Sequence, residues 1–247
     1  MHTPSPPAVQ PSSAPPPPPA WPKALLAPVE RWAFWAFPPS TPGRAVPELG
    51  FVEPLLRRRL SLLAKTTLLA AHECAHNQPG VRFVYASRHG ELAKTTGMLE
   101  NLAENEGVSP LAFSLAVLNA SAGLFSMVHK NHAPATAVSA GKASFGYGLL
   151  QACMQWAQCP EIPVLFVYAD EVAPAVYEEV EPPGSQTRAL ALLLSDKASR
   201  KIHCTMSACT QTSSQEAQES AFMRCLREKE AIWSHAGVAW HWFVEGE

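Results

Sequence analysis

The pentapeptide His72-Glu73-Cys74-Ala75-His76 carries the most literal chemical signal in the chain. On a helix, two histidines four residues apart share a face and can hold zinc, with the glutamate as general base of a hydrolase. Such a site needs a further ligand and a helix that continues. Asn77-Gln78-Pro79-Gly80 stops the helix at once, and the longer form of the motif meets Pro79 and Arg82 where it requires glycine and histidine. The competing reading is a polar helix end, where histidines favour the C-terminal dipole.

Ser139-Ala140-Gly141-Lys142 matches S-x-x-K, in which a lysine activates a serine nucleophile, but the accompanying S-D-N and K-T-G elements are missing. Gly141-Lys142 also resembles the end of a phosphate-binding loop. Thr136 stands where that loop needs its first glycine and Ala143 where it needs serine or threonine, so the reading fails. Ser87-Arg88-His89-Gly90-Glu91 and Asp170-Glu171 each follow a predicted strand directly, the usual place for function in α/β folds. Each is read equally well as a polar helix start.

Composition narrows the function classes. A net charge of −2 over 247 residues gives no basic field for nucleic acid or anionic lipid. No apolar run approaches the roughly 20 residues of a membrane span; Leu60–Ala71 is interrupted by Lys65 and two threonines. The N-terminus lacks the charged start and apolar stretch of a signal peptide. Six cysteines without C-x-x-C pairing are expected to be reduced thiols of a cytoplasmic protein.

These residues need elements to position them. Ten of the 24 prolines fall in the first 22 residues, so residues 1–24 are expected to be an extended tail and 25–247 the folded domain. Val29–Phe37 reads as a strand and Leu55–His76 as one helix with Leu56, Leu60, Leu63 and Thr67 on one face. A strand over Val81–Ala86, a helix over Glu91–Asn105 and an apolar helical pattern over Phe113–Met127 follow. Ala135–Ser139 is a short strand running into a helix over Lys142–Ala157. Pro163–Ala169 and Ala189–Leu194 are uninterrupted apolar strands, as expected when both faces are covered. Beyond Arg200 the pattern gives a strand, a helix over Gln215–Ile232 and a strand over Val238–Val244. The alternation predicts an α/β fold of three layers, a mixed sheet flanked by helices.

From Arg57 to about Leu194 the chain resembles the N-terminal half of β-ketoacyl synthases of the thiolase superfamily, and in particular their short chain length factors from aryl polyene biosynthesis. The stretches that carry this are Arg57-Arg58-Arg59-Leu60-Ser61, Ala86-Ser87-Arg88-His89-Gly90-Glu91, Ser109-Pro110-Leu111-Ala112-Phe113-Ser114, Val117–Gly123, Ala137–Ser144 and Tyr168-Ala169-Asp170-Glu171. The resemblance implies a thiolase-like half fold. In an active synthase the strand before the nucleophile reads roughly T-V-S-x-A-C-A-S and delivers a cysteine to a helix N-terminus, where unpaired N–H groups lower its pKa. Ser139 matches the serine, Gly141 the alanine, and Lys142 the cysteine. The two assisting histidines come from a C-terminal half with no counterpart here. The resemblance therefore implies a non-catalytic subunit without cofactor, paired with a full-length β-ketoacyl synthase and, through it, with acyl carrier protein. Asn119, Ser121, Phe125, Thr136, Val138, Ser139, Lys142 and Phe145 are the implied interface and tunnel residues.

Overall fold

The computed structural model describes residues 24–37, 48–75, 78–180 and 185–245. The expected tail over 1–24 lies, except for Ala24, outside the described residues, as does His76.

Among the described residues eight strands form one sheet. They are β1 (Leu25–Phe37), β2 (Arg82–Ala86), β3 (Ala135–Val138), β4 (Val164–Asp170), β5 (Thr187–Leu194), β6 (Arg200–Ala208), β7 (Glu230–His235) and β8 (Val238–Val244). Their order is β3-β2-β4-β5-β1-β6-β8-β7. β3 and β4 run parallel to β2, and every other pairing is antiparallel. Among the described residues the α-helices are α1 (Pro54–Arg59), α2 (Leu62–Ala75), α3 (Leu92–Ala103), α4 (Pro110–Ser114), α5 (Ala120–His129), α6 (Ser144–Gln158) and α7 (Gln218–Glu228).

Two apolar cores sandwich the sheet. On one face Leu63 and Leu68 of α2 and Phe125 of α5 pack on Phe83, Leu165 and Leu193. On the other, Phe145 and Leu149 of α6 pack on Val84, Phe166 and Leu192 beneath Phe222 of α7 and Trp240 and Trp242 of β8. Every residue of β4 is buried, which is why its sequence reads as an unbroken apolar run. Two glycines set how closely α6 is held. An added Cβ at Gly148 would lie 2.5 Å from the Ala86 Cβ, and one at Gly146 would lie 2.9 Å from the Trp240 ring. Two residues along a helix turn about 200°, so β2 and β4 close one side of α6 while α7 and β8 close the other.

Several boundaries differ from the sequence-based expectation. The helix predicted over Leu55–His76 breaks at Leu60, whose ψ of 137° is extended. Ser61 then starts α2, its Oγ accepting from Ala64 N at 2.9 Å. The apolar pattern over Phe113–Met127 divides between α4, which buries nothing, and α5, which buries Ser121, Ala122, Leu124 and Phe125. The helix predicted over Gln215–Ile232 ends at Lys229, in the left-handed region at φ 73°, and Glu230–His235 becomes β7. β1 begins at Leu25, ahead of the expected Val29. It changes partner there, from β6 to β5, through a register shift between Val29 and Arg31. An irregularity of this kind is where a strand accommodates a proline such as Pro28.

Candidate functional site

β3 delivers the chain into a tight turn. Gly141 takes φ 57°, and Gly141–Ala143 forms one 3-10 turn leading into α6. Ala140 N donates to Ser144 Oγ at 2.8 Å, and that hydroxyl donates to Gly141 O at 2.7 Å. The turn is thus fixed by its own side chains, and Lys142 stands exposed at its tip. Ser139 Oγ donates to Arg88 O at 3.2 Å and is thereby engaged away from Lys142, so the S-x-x-K reading finds no support.

The two post-strand segments singled out in the sequence converge on Asp170. Its Oδ1 accepts from Ser87 Oγ at 2.7 Å, Arg88 N at 2.8 Å and His89 N at 3.2 Å, and its Oδ2 accepts from Tyr168 Oη. Burial, with Asp170 beside it, holds the Tyr168 hydroxyl well above its ordinary pKa. Arg188 and Glu219 complete this group, and the sequence did not single them out: Arg188 Nε donates to Glu219 Oε1 at 2.5 Å. Both are buried for the most part, with side-chain exposures of 21% and 2%. A cavity of about 460 Å³ opens between this group and the Lys142 turn. Phe34 and Ala36 of β1, residues 213–217 before α7, and Trp233 also line it.

The other implied residues separate into two groups. Asn119 and Ser139 are exposed, and Thr136 and Val138 half-buried on β3. Ser121, Phe125 and Phe145 are interior, with exposures of 3%, 1% and 0%. Phe125 stacks on Phe83 at 4.4 Å and Phe145 packs against Phe166, Tyr168, Phe222 and Trp242. These three are buried within the chain itself, so they lie behind its surface rather than on it.

The zinc reading finds no support. His72 stacks on Phe51 at 3.7 Å and lies 5.2 Å from His129 on α5, while Glu73 Oε2 accepts from Trp35 Nε1 at 2.6 Å. Among the described residues no group of three or more His, Cys, Asp or Glu is placed to hold a metal. All six cysteines are free thiols. Burial pushes those of Cys74 and Cys204 up to about 12 and that of Cys225 up to about 11, away from nucleophilic use.

Two groups, Glu171 buried and His129 half-buried, are shifted in opposite senses. Burial raises the Glu171 carboxyl to about 7 from 4.5, although its Oε1 accepts from Ala93 N at 2.8 Å. A carboxyl raised in the folded state contributes stability below its unfolded pKa and loses it as pH rises through the folded one. Burial and then His72 lower His129 to about 4 from 6.5. A lowered histidine contributes stability above its unfolded pKa and loses it as pH falls through the folded one. Between about pH 5 and 6.5 the two slopes oppose each other, each on the order of 1 kcal/mol after solvent screening. Glu171→Gln is therefore expected to make stability fall on acidification across that window, and His129→Phe to make it rise. Denaturant midpoints at both pH values check this; identical slopes in the two variants would refute it.

The chain has a thiolase-like fold, a mixed eight-stranded sheet with helices on both faces. It belongs to the β-ketoacyl synthase N-terminal domain family, whose model matches residues 32–243. It is similar to a chain of the complex of the ketosynthase ApeO with its chain length factor ApeC from Xenorhabdus doucetiae, with TM-score 0.75 and 26% identity. That alignment covers 89% of this chain and 99% of the other, so the two are nearly equal in length. The ishigamide ketosynthase/chain length factor shares the fold at TM-score 0.59 and 16% identity, over 82% and 73% of the respective chains. So does a β-ketoacyl synthase from Burkholderia phymatum, at TM-score 0.53 and 12% identity over 75% and 56%. A search of the curated proteins finds no match. Among the described residues no helix is long and apolar enough to cross a membrane.

Proposed function

We propose that this chain is a non-catalytic, chain length factor-like subunit that pairs with a full-length β-ketoacyl synthase in the cytoplasm. It helps shape the tunnel in which carrier protein-bound acyl chains of the polyene type are extended. One observation carries this reading: β3, the strand that leads into Lys142, is an edge of the sheet. Phe83 N and Ser87 N donate to the carbonyls of Pro134 and Val138. Alternation along a strand then turns the backbone groups of Ala135, Ala137 and Ser139 away from β2, ready to join a second sheet. Met127 on α5 and Met154 on α6, the helices that flank β3, are 62% and 51% exposed and suit an apolar contact on either side. The similarity to a chain of a ketosynthase–chain length factor complex supports the same partner.

On this reading Asn119, Thr136, Val138, Ser139 and Lys142 are the residues a partner can reach, while Phe125 and Phe145 act only by backing them. Lysine in place of the nucleophile leaves no group to carry the acyl chain. The test is co-expression with a full-length β-ketoacyl synthase from the same organism, followed by size-exclusion chromatography. A stable heterodimer is expected for the natural chain. Ala137→Pro is expected to abolish it while leaving thermal unfolding of the isolated chain nearly unchanged, since the lost donor serves no bond to β2. A heterodimer that survives Ala137→Pro, or condensation by the isolated chain, would overturn the reading.

A further inference from the structure

The cavity beside Lys142 lies at the carboxyl ends of the parallel strands β2 and β4, where α/β sheets receive ligands. Strand register builds its floor. Ala36, Arg188 and Asp170 form one cross-strand row, and Phe34, Leu190 and Tyr168 the next. The chain's own C-terminal part covers it, through the segment before α7 and Trp233 of β7. At about 460 Å³ it has the size of a small-molecule pocket.

Its charges decide what fits. Asp170 is satisfied by Ser87, Tyr168 and two backbone N–H groups. Glu219 is paired with Arg188, and Glu216 with Arg224 at 2.7 Å. Glu171 accepts from Ala93 N. Lys142, in contrast, has no ion-pair partner among the described residues. Arg88 also lines the cavity and is itself engaged, so Lys142 offers the ammonium without an ion pair, beside Asp170, Glu171, Glu216 and Glu219. One negative charge on a ligand is attracted by Lys142, and with Arg188 paired and Arg88 engaged no further unpaired cation of the lining stands ready for a second. Phe34, Ala36 and Trp233 supply apolar wall for a hydrocarbon body.

We propose that this cavity binds a small organic monocarboxylate, its head on the Lys142 ammonium and its apolar body between Phe34, Tyr168 and Trp233. The site lies within one chain and so stands whether or not a synthase docks on β3. Lysine at this position then has a positive use: it converts the end of a nucleophile turn into an anion seat.

Calorimetric titration of the full chain with hexanoate, benzoate and inorganic phosphate tests this directly. Saturable one-to-one binding of hexanoate or benzoate is expected, stronger than that of phosphate and weakened at least tenfold in Lys142→Ala. Lys197→Ala, at the far end of β5, serves as the control for general loss of positive charge and should bind as the natural chain does. Lys142 is exposed, so its truncation leaves the fold intact, which circular dichroism verifies. No binding by either carboxylate, binding unaltered by Lys142→Ala, equal weakening by Lys197→Ala, or tighter binding of phosphate would each overturn the proposal.

Discussion

Arg188→Met is expected to destabilise the protein by about 3 kcal/mol, because it leaves the Glu219 carboxylate buried without its partner. Glu219 is 1% exposed and sits in the first turn of α7, whereas Arg188 belongs to β5 and lies beside Asp170 of β4 in the register. The pair therefore ties the C-terminal helix to the central sheet. For a chain of this size, 3 kcal/mol corresponds to about 6–12 °C in Tm. The deficit has a pH signature. Burial already raises the Glu219 carboxyl, and losing the guanidinium raises it further. A raised carboxyl costs stability as pH rises, so the variant should recover part of its loss in acid. Arg188→Met combined with Glu219→Leu should recover most of it at neutral pH, since the buried charge is then gone. Urea denaturation of the two single variants and the double decides; a single-variant loss below about 1 kcal/mol would mean that solvent screens the pair.

Gly148→Ala is expected to be comparably damaging, although alanine in a helix normally gains about 1 kcal/mol over glycine. The new Cβ would meet the Ala86 Cβ at 2.5 Å and the Phe166 ring at 2.7 Å. Ala86 has no side-chain torsion through which to retreat, so α6 must shift off the sheet. Overpacking of this kind costs about 1–3 kcal/mol and occasionally more, which outweighs the propensity gain. The shift also moves the Gly141–Ser144 turn, so carboxylate binding and heterodimer formation should weaken with stability. Gly97 in α3 is the matched control: nothing lies within 4 Å of its added Cβ. Gly97→Ala should stabilise by up to about 1 kcal/mol. A Gly148→Ala protein as stable as Gly97→Ala would show that α6 can slide freely over β2 and β4.

The two glycines carry the same residue letter inside the same kind of helical pattern, and their effects differ in sign. Only the neighbour supplied by another element separates them. The histidines behave likewise. His72 looked like half of a metal site from its spacing to His76, yet its ring stacks on Phe51 and clusters with His129 of a different helix. Phe125 fell in an apolar pattern at helical spacing, but periodicity does not state which layer such a face meets. Arg188 and Glu219 gave no signal because their pairing depends on where β5 and α7 are brought together, 31 residues apart in the chain.

What the amino-acid order determined alone is local and periodic: the α/β alternation, the doubly buried β4, the short strand into a glycine turn, and lysine at its tip. Local preferences and burial patterns write themselves into consecutive residues, and so does the run of motifs that marks the family. The tertiary structure alone decided that β3 lies at an edge of the sheet, that the C-terminal strands and α7 close over α6, and that Lys142 stands beside a cavity. These follow from strand order and register, which join residues far apart in the chain, and no periodicity in the sequence encodes those distances.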